Sequence, residues 1–355
     1  MPGERAEITG IPVRPGRFLA CRWPTASLHA TAGPPGEDIS FADGRVSISS
    51  IPKDNSSAYL VIRIDAKFNI CITMASSTPF QTPPPDTKYT LISFPTPHII
   101  LVTINRPKQR NSLPFAAQWE LHRIWTWYDT EPSLRCALIT GAGDKAFCAG
   151  QDLIELGSLS EEDFQLRAWE FKHPPGRFGG VSGRIGKKPI IAAVNGFAFG
   201  GGFEIVLNCD MIVASPSASF SLPEALRGIY AAAGGLPRLV SLVGPPLATE
   251  IALTGRVLTA KEALDYRIIN KISSSPDTLI EEAIALAKKI EDLSPDAVIV
   301  TRAGLREAWK TGDMEAATKI IDDLYNQKLM DGENRVEGLA AFAQKRKPVW
   351  RPSKL

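Results

Sequence analysis

The sequence predicts an α/β domain that ends in a helical region and follows a proline-rich leader. Apolar runs at 99–104, 136–140 and 189–194 suit buried strands. Near the end of the chain, three segments have acids in their first turns and apolar residues at helical spacing. These predicted helices span 277–292, 296–310 and 313–329. Strands that alternate with helices, followed by helices alone, indicate this fold class.

The first part of the chain has a different composition. Of the 28 prolines, 13 lie in residues 1–97, where neither helical nor strand periodicity is sustained. Residues 1–87 are therefore interpreted as a disordered or non-native leader, in which Tyr59–Ile64 has a strand pattern but no evident partner. Met74 precedes a run of small residues and is an alternative start of the chain. The remaining predicted segments are an α/β core over 88–285, a helical region over 286–350 and a tail over 351–355.

Composition fits a folded enzyme without a polyanionic partner. Hydrophobic residues make up 44% and charged residues 22% of the chain, and the net charge is +2. No apolar run reaches the roughly 18 residues of a membrane span. The five cysteines form no CxxC pair, and an odd number fits a reducing compartment. The four histidines lack metal-ligand spacing, so we expect no metal.

An amphipathic helix is predicted between the first two strands of the core. Ser112 can cap its start, and Pro114 lies in its first turn. Apolar side chains then recur at helical spacing and are expected to face the core. They are Trp119, Leu121, Ile124 and Trp125.

A glycine triplet opens the most informative segment. After the strand at 189–194, Gly200, Gly201 and Gly202 precede an apolar helix over 203–207. Glycines leave the first N–H groups of a helix uncovered, and the helix dipole adds positive charge, so an oxyanion could bind there. Glu204 lies in the first turn, beside this anion site. Alternatively, the glycines only permit close packing and Glu204 only complements the dipole.

A second carboxylate follows twenty residues later. Residues 218–222 alternate like a strand, and Pro223 breaks the pattern just before Glu224. Catalytic acids and bases often come from the ends of different elements, which loops bring together. Glu204 and Glu224, with exposed backbone donors, therefore indicate acid/base chemistry on a polarised carbonyl.

These residues resemble the signature of the crotonase (enoyl-CoA hydratase/isomerase) superfamily. The likeness covers roughly residues 88–350, and several motifs in the family's order make it specific. The matching motifs are 104–107, 110–113, 147–153, 194–204, 209–210, 222–224, 253–255, 260–264 and 342–346. The Ser-Leu-Pro-Glu-Ala form around Glu224 and the tail over 342–350 are similar to the carnitine racemase (crotonobetainyl-CoA hydratase) branch.

The resemblance implies a superhelix of repeated ββα units and a helical trimerisation region, in a homotrimer or homohexamer. It also implies a CoA thioester whose carbonyl oxygen accepts the backbone N–H groups of Gln151 and Gly201. Glu204 and Glu224 would hold one water, one accepting its proton and the other supplying a proton to C2. No cofactor is implied, since CoA is part of the substrate. The residues matched to CoA or substrate binding are Ala149, Gln151, Asp152, Leu153, Ile154, Gly201, Phe342 and Lys345.

The two carboxylates favour an enoyl-CoA hydratase that acts on a 2-enoyl-CoA, in fatty-acid β-oxidation or a related acyl-CoA pathway. The enzyme alternative is a Δ3,Δ2-enoyl-CoA isomerase, in which one glutamate moves a proton between C4 and C2. The non-enzyme alternative is RNA binding, which needs a basic helix, whereas 113–128 has Arg123 as its only Lys or Arg. The sequence does not determine the identity or length of the acyl group. A cationic acyl group would favour an aromatic cage. Candidates are Trp169, Phe171, Phe178 and Tyr230.

The last three residues are typical of a peroxisomal address. Ser353-Lys354-Leu355 is read by an import receptor when it is free at the C-terminus. We therefore expect a peroxisomal protein. The mitochondrion is the alternative, because residues 14–32 carry three arginines and no acid, although Pro15 and Pro24 would break the helix that a presequence needs.

Overall fold

The computed structural model describes residues 80–160, Glu162 and 172–355, and the backbone of seven short strands before residue 80. Residues 1–79 and 80–355 form two compact units. The strands of the first unit are β1 Ala6–Ile8, β2 Leu19–Arg22, β3 Ser27–Ala30, β4 Ile39–Phe41, β5 Gly44–Val46, β6 Tyr59–Ile64 and β7 Ile70–Ala75.

Strand β6 has two partners. It pairs antiparallel with β1 and with β7, so the expectation that Tyr59–Ile64 lacks a partner was wrong. The apolar pattern of one strand does not predict which strand it pairs with, because pairing also depends on segments distant in sequence. The dispensability of the leader stays a prediction, and most of the arginine-containing segment 14–32 lies outside the described residues.

Two sheets organise the second unit. Their strands are β8 Thr90–Thr96, β9 Ile99–Ile104, β10 Cys136–Gly141, β11 Ala146–Cys148, β12 Ile190–Val194, β13 Phe197–Phe199, β14 Met211–Ala214, β15 Ser219–Ser221, β16 Leu258–Thr259 and β17 Lys271–Ile272. The larger sheet has the order β17-β14-β12-β10-β9-β8, with only β8 antiparallel to its neighbour. The smaller sheet has the order β11-β13-β15-β16. The three apolar runs form β9, β10 and β12, as predicted.

Helices follow the strands and then end the chain. In the described residues they are α1 Phe115–Thr130, α2 Leu153–Ser158, α3 Gly201–Asn208, α4 Gly235–Val243, α5 Pro245–Thr254, α6 Ala260–Asp265, α7 Leu279–Glu291, α8 Pro295–Thr311, α9 Met314–Ile321, α10 Gln327–Met330 and α11 Glu333–Ala343. Single 3₁₀ turns occur at Pro107–Gln109, Phe178–Gly180 and Glu224–Arg227. A π-helical turn, Asp322–Asn326, interrupts the helix predicted over 313–329.

The repeated unit is one strand in each sheet followed by a helix. Strands β10 and β11 lead to α2, and β12 and β13 lead to α3. This is the expected ββα repeat. Helices α7 to α11 form the expected helical C-terminal region, so the predicted fold class is confirmed.

The start of α1 differs from the prediction. The helix begins at Phe115 with Pro114 at its N-cap, and the N–H of Phe115 donates to the side-chain carboxylate of Glu155 at 2.9 Å. Ser112 is held instead by the guanidinium of Arg106, which donates to its carbonyl oxygen and lies 3.4 Å from its hydroxyl. The inward face is as predicted for Leu121, Ile124 and Trp125, which are buried, while Trp119 is half-buried.

A buried ion-pair network fastens α8 to the end of α3. Asp210 pairs with Arg302 at 2.9 Å and with Arg306 at 3.0 Å, and Arg306 also donates to the carbonyl of Asn208, the last residue of α3. Burial alone would raise the pKa of Asp210, but the two arginines hold it below its usual value. This network fixes the C-terminal end of α3, whose N-terminal end carries the candidate site.

Candidate active site

Glu204 lies in the first turn of α3 and is only 3% exposed. Its Oε1 accepts the backbone N–H of Gly235 at 2.8 Å. Burial raises the pKa of this carboxyl above its usual value, although the N–H groups of Gly235 and Ala233 oppose the rise. Glu204 therefore has a fixed orientation and a raised proton affinity, both of which suit a proton-transfer group.

The loop that supplies these N–H groups is itself held in place. Side-chain donors of Ser182, Arg177 and Arg238 bond the carbonyl oxygens of Ala233, Ala232 and Gly234 at 3.0, 3.1 and 2.9 Å. The charges of Arg238 and Arg177 also act to lower the pKa of Glu204. Sequence reasoning missed these three residues. Ser182 and Arg177 lie some fifty positions before the loop, and no local pattern links them to it.

Glu224 opens the 3₁₀ turn that follows Pro223. Its Oε2 is buried and has no hydrogen-bond partner within the described part of the chain. Burial, and then the charge of Glu204, raise the pKa of Glu224 to about 7. This carboxyl is consequently about half protonated at neutral pH.

The structure brings the two glutamates together at the start of α3. A Cβ on Gly200, the residue before the helix, would lie 3.3 Å from Oε1 of Glu224. Glu204 is four positions further along, and its charge raises the pKa of Glu224. Two carboxylates with raised pKa values thus adjoin one helix N-terminus, an arrangement typical of catalytic sites.

Two backbone donors adjoin the glutamates. Gly150 has φ +92°, and a Cβ there would lie 2.9 Å from the carbonyl oxygen of Phe199 and 3.2 Å from the nitrogen of Gly201. The turn at Gly150 therefore places Gln151 next to Gly201. Within the described residues, the N–H groups of Gln151 and Gly201 donate to no other backbone group. Both are available to an oxyanion, which is the role that the family resemblance implies for them.

Close packing also requires the glycine at position 201. A Cβ there would lie 2.6 Å from the ring of Phe178, which is 2% exposed. The two interpretations of the glycines, packing and anion binding, are therefore compatible. Of the other aromatic candidates, Tyr230 is 73% exposed, and Trp169 and Phe171 lie outside the described residues.

The candidate CoA loop contains structural as well as exposed residues. Asp152 caps α2 by accepting the N–H of Ile154 at 3.2 Å, and it pairs with Arg106 at 2.9 Å, so its side chain is already engaged. Leu153 and Ile154 are 46% and 86% exposed and are free to contact a ligand. Ala149 is half-buried, with its N–H bonded to the carbonyl of Arg110.

Cys148, in the same loop, is an inert structural residue. It is fully buried, and burial raises the pKa of its thiol to about 12.

The C-terminal candidates lie at the end of α11. Phe342 is 86% exposed, and Lys345 has φ 52° and donates its N–H to the carbonyl of Phe342. Neither forms a hydrogen bond or ion pair with Glu204 or Glu224 in the described chain. Their role in CoA binding stays a prediction.

A chain of side-chain amides adjoins the backbone donors, and sequence reasoning missed it. His173 Nδ1 lies 2.7 Å from Oε1 of Gln118, and Gln118 Nε2 donates to Oε1 of Gln151 at 2.7 Å. Gln118 is fully buried on α1. Polar positions on the inner face of an otherwise apolar helix are the signal that could have indicated such a contact.

Over the described residues, no group of three or more His, Cys, Asp or Glu side chains could hold a metal ion. The same residues include no helix that is both long and apolar enough to cross a membrane.

Comparisons with known proteins agree with this geometry. Residues 96–353 match the family model for enoyl-CoA hydratase/isomerase. Mevalonyl-coenzyme A hydratase of Aspergillus fumigatus is 48% identical over 265 residues, which cover 75% of this chain and 96% of that protein. Carnitinyl-CoA dehydratase of Escherichia coli K12 is 37% identical over 262 residues, or 71% of this chain and 95% of that protein. The crystal structure of an enoyl-CoA hydratase from Bacillus anthracis superposes with a TM-score of 0.68 at 33% identity, covering 75% of this chain and all of that one.

The chain belongs to the enoyl-CoA hydratase/isomerase family, the crotonase superfamily. Its relatives are hydratases and dehydratases of CoA thioesters, and the expectation of a hydro-lyase of the enoyl-CoA hydratase type is confirmed. The likeness to the carnitine branch is confirmed by the carnitinyl-CoA dehydratase match, and the identity to mevalonyl-CoA hydratase is higher still.

Proposed function

We propose that this protein catalyses the reversible addition of water to a 2-enoyl-CoA thioester, with Glu204 and Glu224 as its catalytic residues. The observation that carries the proposal is the meeting of two carboxyls with raised pKa values beside two free backbone N–H groups. The water oxygen bonds to C3 while the electron pair of the double bond moves toward the thioester carbonyl. The N–H groups of Gln151 and Gly201 stabilise the developing oxyanion, an effect typically worth about 10²–10³ in rate per donor.

The two glutamates take different roles. Glu204 has its Oε1 oriented by the N–H of Gly235, so it fits the group that aligns the water and accepts its proton. Glu224 has a pKa of about 7 and a buried, unpartnered Oε2, so it fits the acid that protonates C2. The reverse reaction, dehydration of a 3-hydroxyacyl-CoA, uses the same groups in the opposite protonation states. No cofactor other than the CoA of the substrate takes part.

The acyl group is inferred to be polar. Two relatives are named for mevalonyl-CoA and carnitinyl-CoA, and both names describe acyl groups with a polar substituent beyond C3. We therefore group this chain with these two relatives rather than with hydratases of plain hydrocarbon acyl chains. Its reaction would belong to fatty-acid β-oxidation or a related acyl-CoA pathway.

Ultraviolet absorbance tests the reaction. Hydration consumes the conjugated enoyl-thioester band, whereas isomerisation of a 3-enoyl-CoA to a 2-enoyl-CoA creates it. The purified protein should bleach the band with a panel of 2-enoyl-CoA substrates and should not generate it from 3-enoyl-CoA. Growth of the band with 3-enoyl-CoA and no loss with any 2-enoyl-CoA would favour the isomerase.

We also propose that the protein assembles as a homotrimer or homohexamer. Large apolar side chains are exposed on the C-terminal helices, and burial in an interface would remove them from water. They include Leu305, Met314, Leu324, Leu339 and Phe342, at 70%, 83%, 56%, 59% and 86% exposure. Light scattering coupled to gel filtration should give three or six times the monomer mass, and a monomer would contradict the assembly.

We also propose that the protein is imported into peroxisomes. Ser353, Lys354 and Leu355 match a tripeptide that an import receptor reads. Ser353 Oγ donates to Asp296 at 2.5 Å and Lys187 donates to a terminal carboxylate oxygen of Leu355 at 2.9 Å, so receptor binding requires these contacts of the tail to break. An N-terminal fluorescent fusion should form peroxisomal puncta, and puncta that survive deletion of residues 353–355 would contradict this address. Mitochondrial fluorescence would support the alternative.

A further inference from the structure

One donor next to the oxyanion hole has no function in the chemistry described above. The Nε2 atom of Gln151 is buried and has no hydrogen-bond partner in the described chain. An amide nitrogen carries two donors, and a buried donor left without an acceptor typically costs about 1–3 kcal/mol. Such a group in a native structure calls for an acceptor, and the described residues supply none.

The neighbouring side chains fix which atom Gln151 offers. Gln118 Nε2 donates to Oε1 of Gln151 at 2.7 Å, and the same Nε2 lies 3.4 Å from the carbonyl oxygen of Leu113. Only an NH₂ group can face a carbonyl oxygen, so the Leu113 carbonyl fixes the orientation of Gln118. His173 Nδ1 faces Oε1 of Gln118 at 2.7 Å and acts as a donor. The hydrogen bonds therefore all run in one direction, from His173 to Gln118 to Gln151, and among the described residues nothing accepts the side-chain N–H groups of Gln151.

An aromatic wall lies beyond the Gln151 side chain, and we take it as the acyl side of the site. His173 and Phe178 form an edge-on ring pair at 6.0 Å, and Phe178 adjoins Gly201 of the oxyanion hole. The Gln151 side chain thus extends from the hole toward this aromatic wall, whereas the exposed side chains of the CoA loop, Leu153 and Ile154, follow on α2. A Gln side-chain nitrogen lies roughly 5 Å from its own backbone nitrogen, a reach that matches an oxygen on the fourth or fifth carbon of an acyl chain.

We propose that Gln151 is a specificity-determining residue whose side-chain amide donates a hydrogen bond to an oxygen on C4 or C5 of the acyl group. Gln118 is its positioning residue. The backbone of Gln151 binds the thioester oxygen and its side chain selects an oxygenated acyl chain, so one residue serves both ends of the acyl group. This inference rests on the proposed hydratase activity and adds the substrate class.

Paired substrates test the proposal. The two compounds are 5-hydroxy-3-methylpent-2-enoyl-CoA and 3-methylpent-2-enoyl-CoA, which differ only in one hydroxyl. The wild-type protein should have a higher kcat/KM for the hydroxylated compound, and Gln151→Met, which keeps the side-chain length but has no donor, should lower the ratio of the two values at least about tenfold. Gln327→Met, the same change on the exposed helix α10, should leave both values unchanged.

The outcomes separate this inference from the proposed function. Equal proportional losses on both substrates in Gln151→Met would mean a structural role and would overturn the inference. Hydration of neither substrate, nor of any other 2-enoyl-CoA, by the wild type would overturn the proposed function instead. If the variant does not fold, titration calorimetry on the wild-type protein still tests the inference. The wild type should bind 5-hydroxy-3-methylpentanoyl-CoA about tenfold more tightly than 3-methylpentanoyl-CoA, and equal affinities would refute the inference.

Discussion

The raised pKa of Glu224 predicts that its charge destabilises the fold above neutral pH. Its folded-state pKa is about 7, against 4.5 for the ordinary carboxyl. Between these values the folded state binds more protons than the unfolded state, so the free energy of unfolding falls as pH rises through this window. Below about pH 4.5 both states are protonated and the penalty is absent.

The size of the effect follows from the same values. A rise from 4.5 to about 7 corresponds to about 3 kcal/mol at 1.36 kcal/mol per pH unit. Glu224 is only half-buried, and solvent screening reduces the expected penalty to about 2 kcal/mol. Glu224→Gln cannot ionise, so at pH 8 it should unfold about 4 °C above the wild type. At pH 4 the two melting temperatures should coincide.

Calorimetry at both pH values measures this difference. Glu281→Gln, the same change on the exposed part of α7, is the matched control and should show no such pH-dependent gain. The variant should also lose at least about 10² in kcat, because it lacks the acid for C2. A Glu224→Gln protein no more stable than the wild type at pH 8, or equally stabilised at pH 4 and pH 8, would refute the raised pKa of Glu224.

Other predictions concern the remaining parts of the site and the leader. Glu204→Gln should lower kcat by at least about 10² with little change in the dissociation constant of a CoA thioester measured by calorimetry, since only a proton-transfer group is lost; near-normal turnover would exclude its role. Gly150→Ala should lower kcat/KM by at least about 10², because the added Cβ meets the Phe199 carbonyl at 2.9 Å and position 150 has φ +92°; full activity would contradict this placement of the hole. In wild-type kinetics, kcat/KM for hydration should fall above about pH 7 as Glu224 loses its proton, and a rate that rises through this range would assign the acid elsewhere. A protein that begins at Met74 should fold and turn over like the full chain, and loss of soluble protein would show that the leader is required.

Local patterns predicted the strands β9, β10, β12 and β15 and the helices α1, α3, α7 and α8, and they singled out Glu204 and Glu224 as the candidate acid and base. The runs that form β9, β10 and β12 are apolar throughout, as befits strands covered on both faces. Glu204 follows the glycines within one helical turn, so its position depends only on nearby sequence. By contrast, Ser112 has the right residue type for a cap, yet Arg106 and the following proline set a different start for α1.

Helix α11 lies within the helical region predicted over 286–350, but no individual helix was predicted at 333–343, because tertiary contacts stabilise it. Helix α11 contains Gly338, a weak helix former, and much of its surface is exposed. The tail folds back onto it. Trp350 packs over Gly338, where a Cβ would lie 3.1 Å from the ring, and Arg346 pairs with Glu337 at 2.6 Å. The sequence of 333–343 alone could not predict this helix, because the stabilising contacts come from residues that follow it in the chain.

The glycines of the site show the same distinction between local and long-range causes. The sequence left open whether the glycines uncover N–H groups or permit close packing, and the structure shows that the carboxylates themselves are among the groups that pack against them. A Cβ on Gly235 would lie 2.7 Å from Cγ of Glu204, and one on Gly200 would lie 3.3 Å from Oε1 of Glu224. Glu204 thus approaches a backbone segment that has no room for a side chain, and Glu224 approaches one at which a Cβ would be in tight contact. The close approach excludes water from one side of each carboxyl, and this burial is what raises both pKa values toward the range in which proton transfer is efficient.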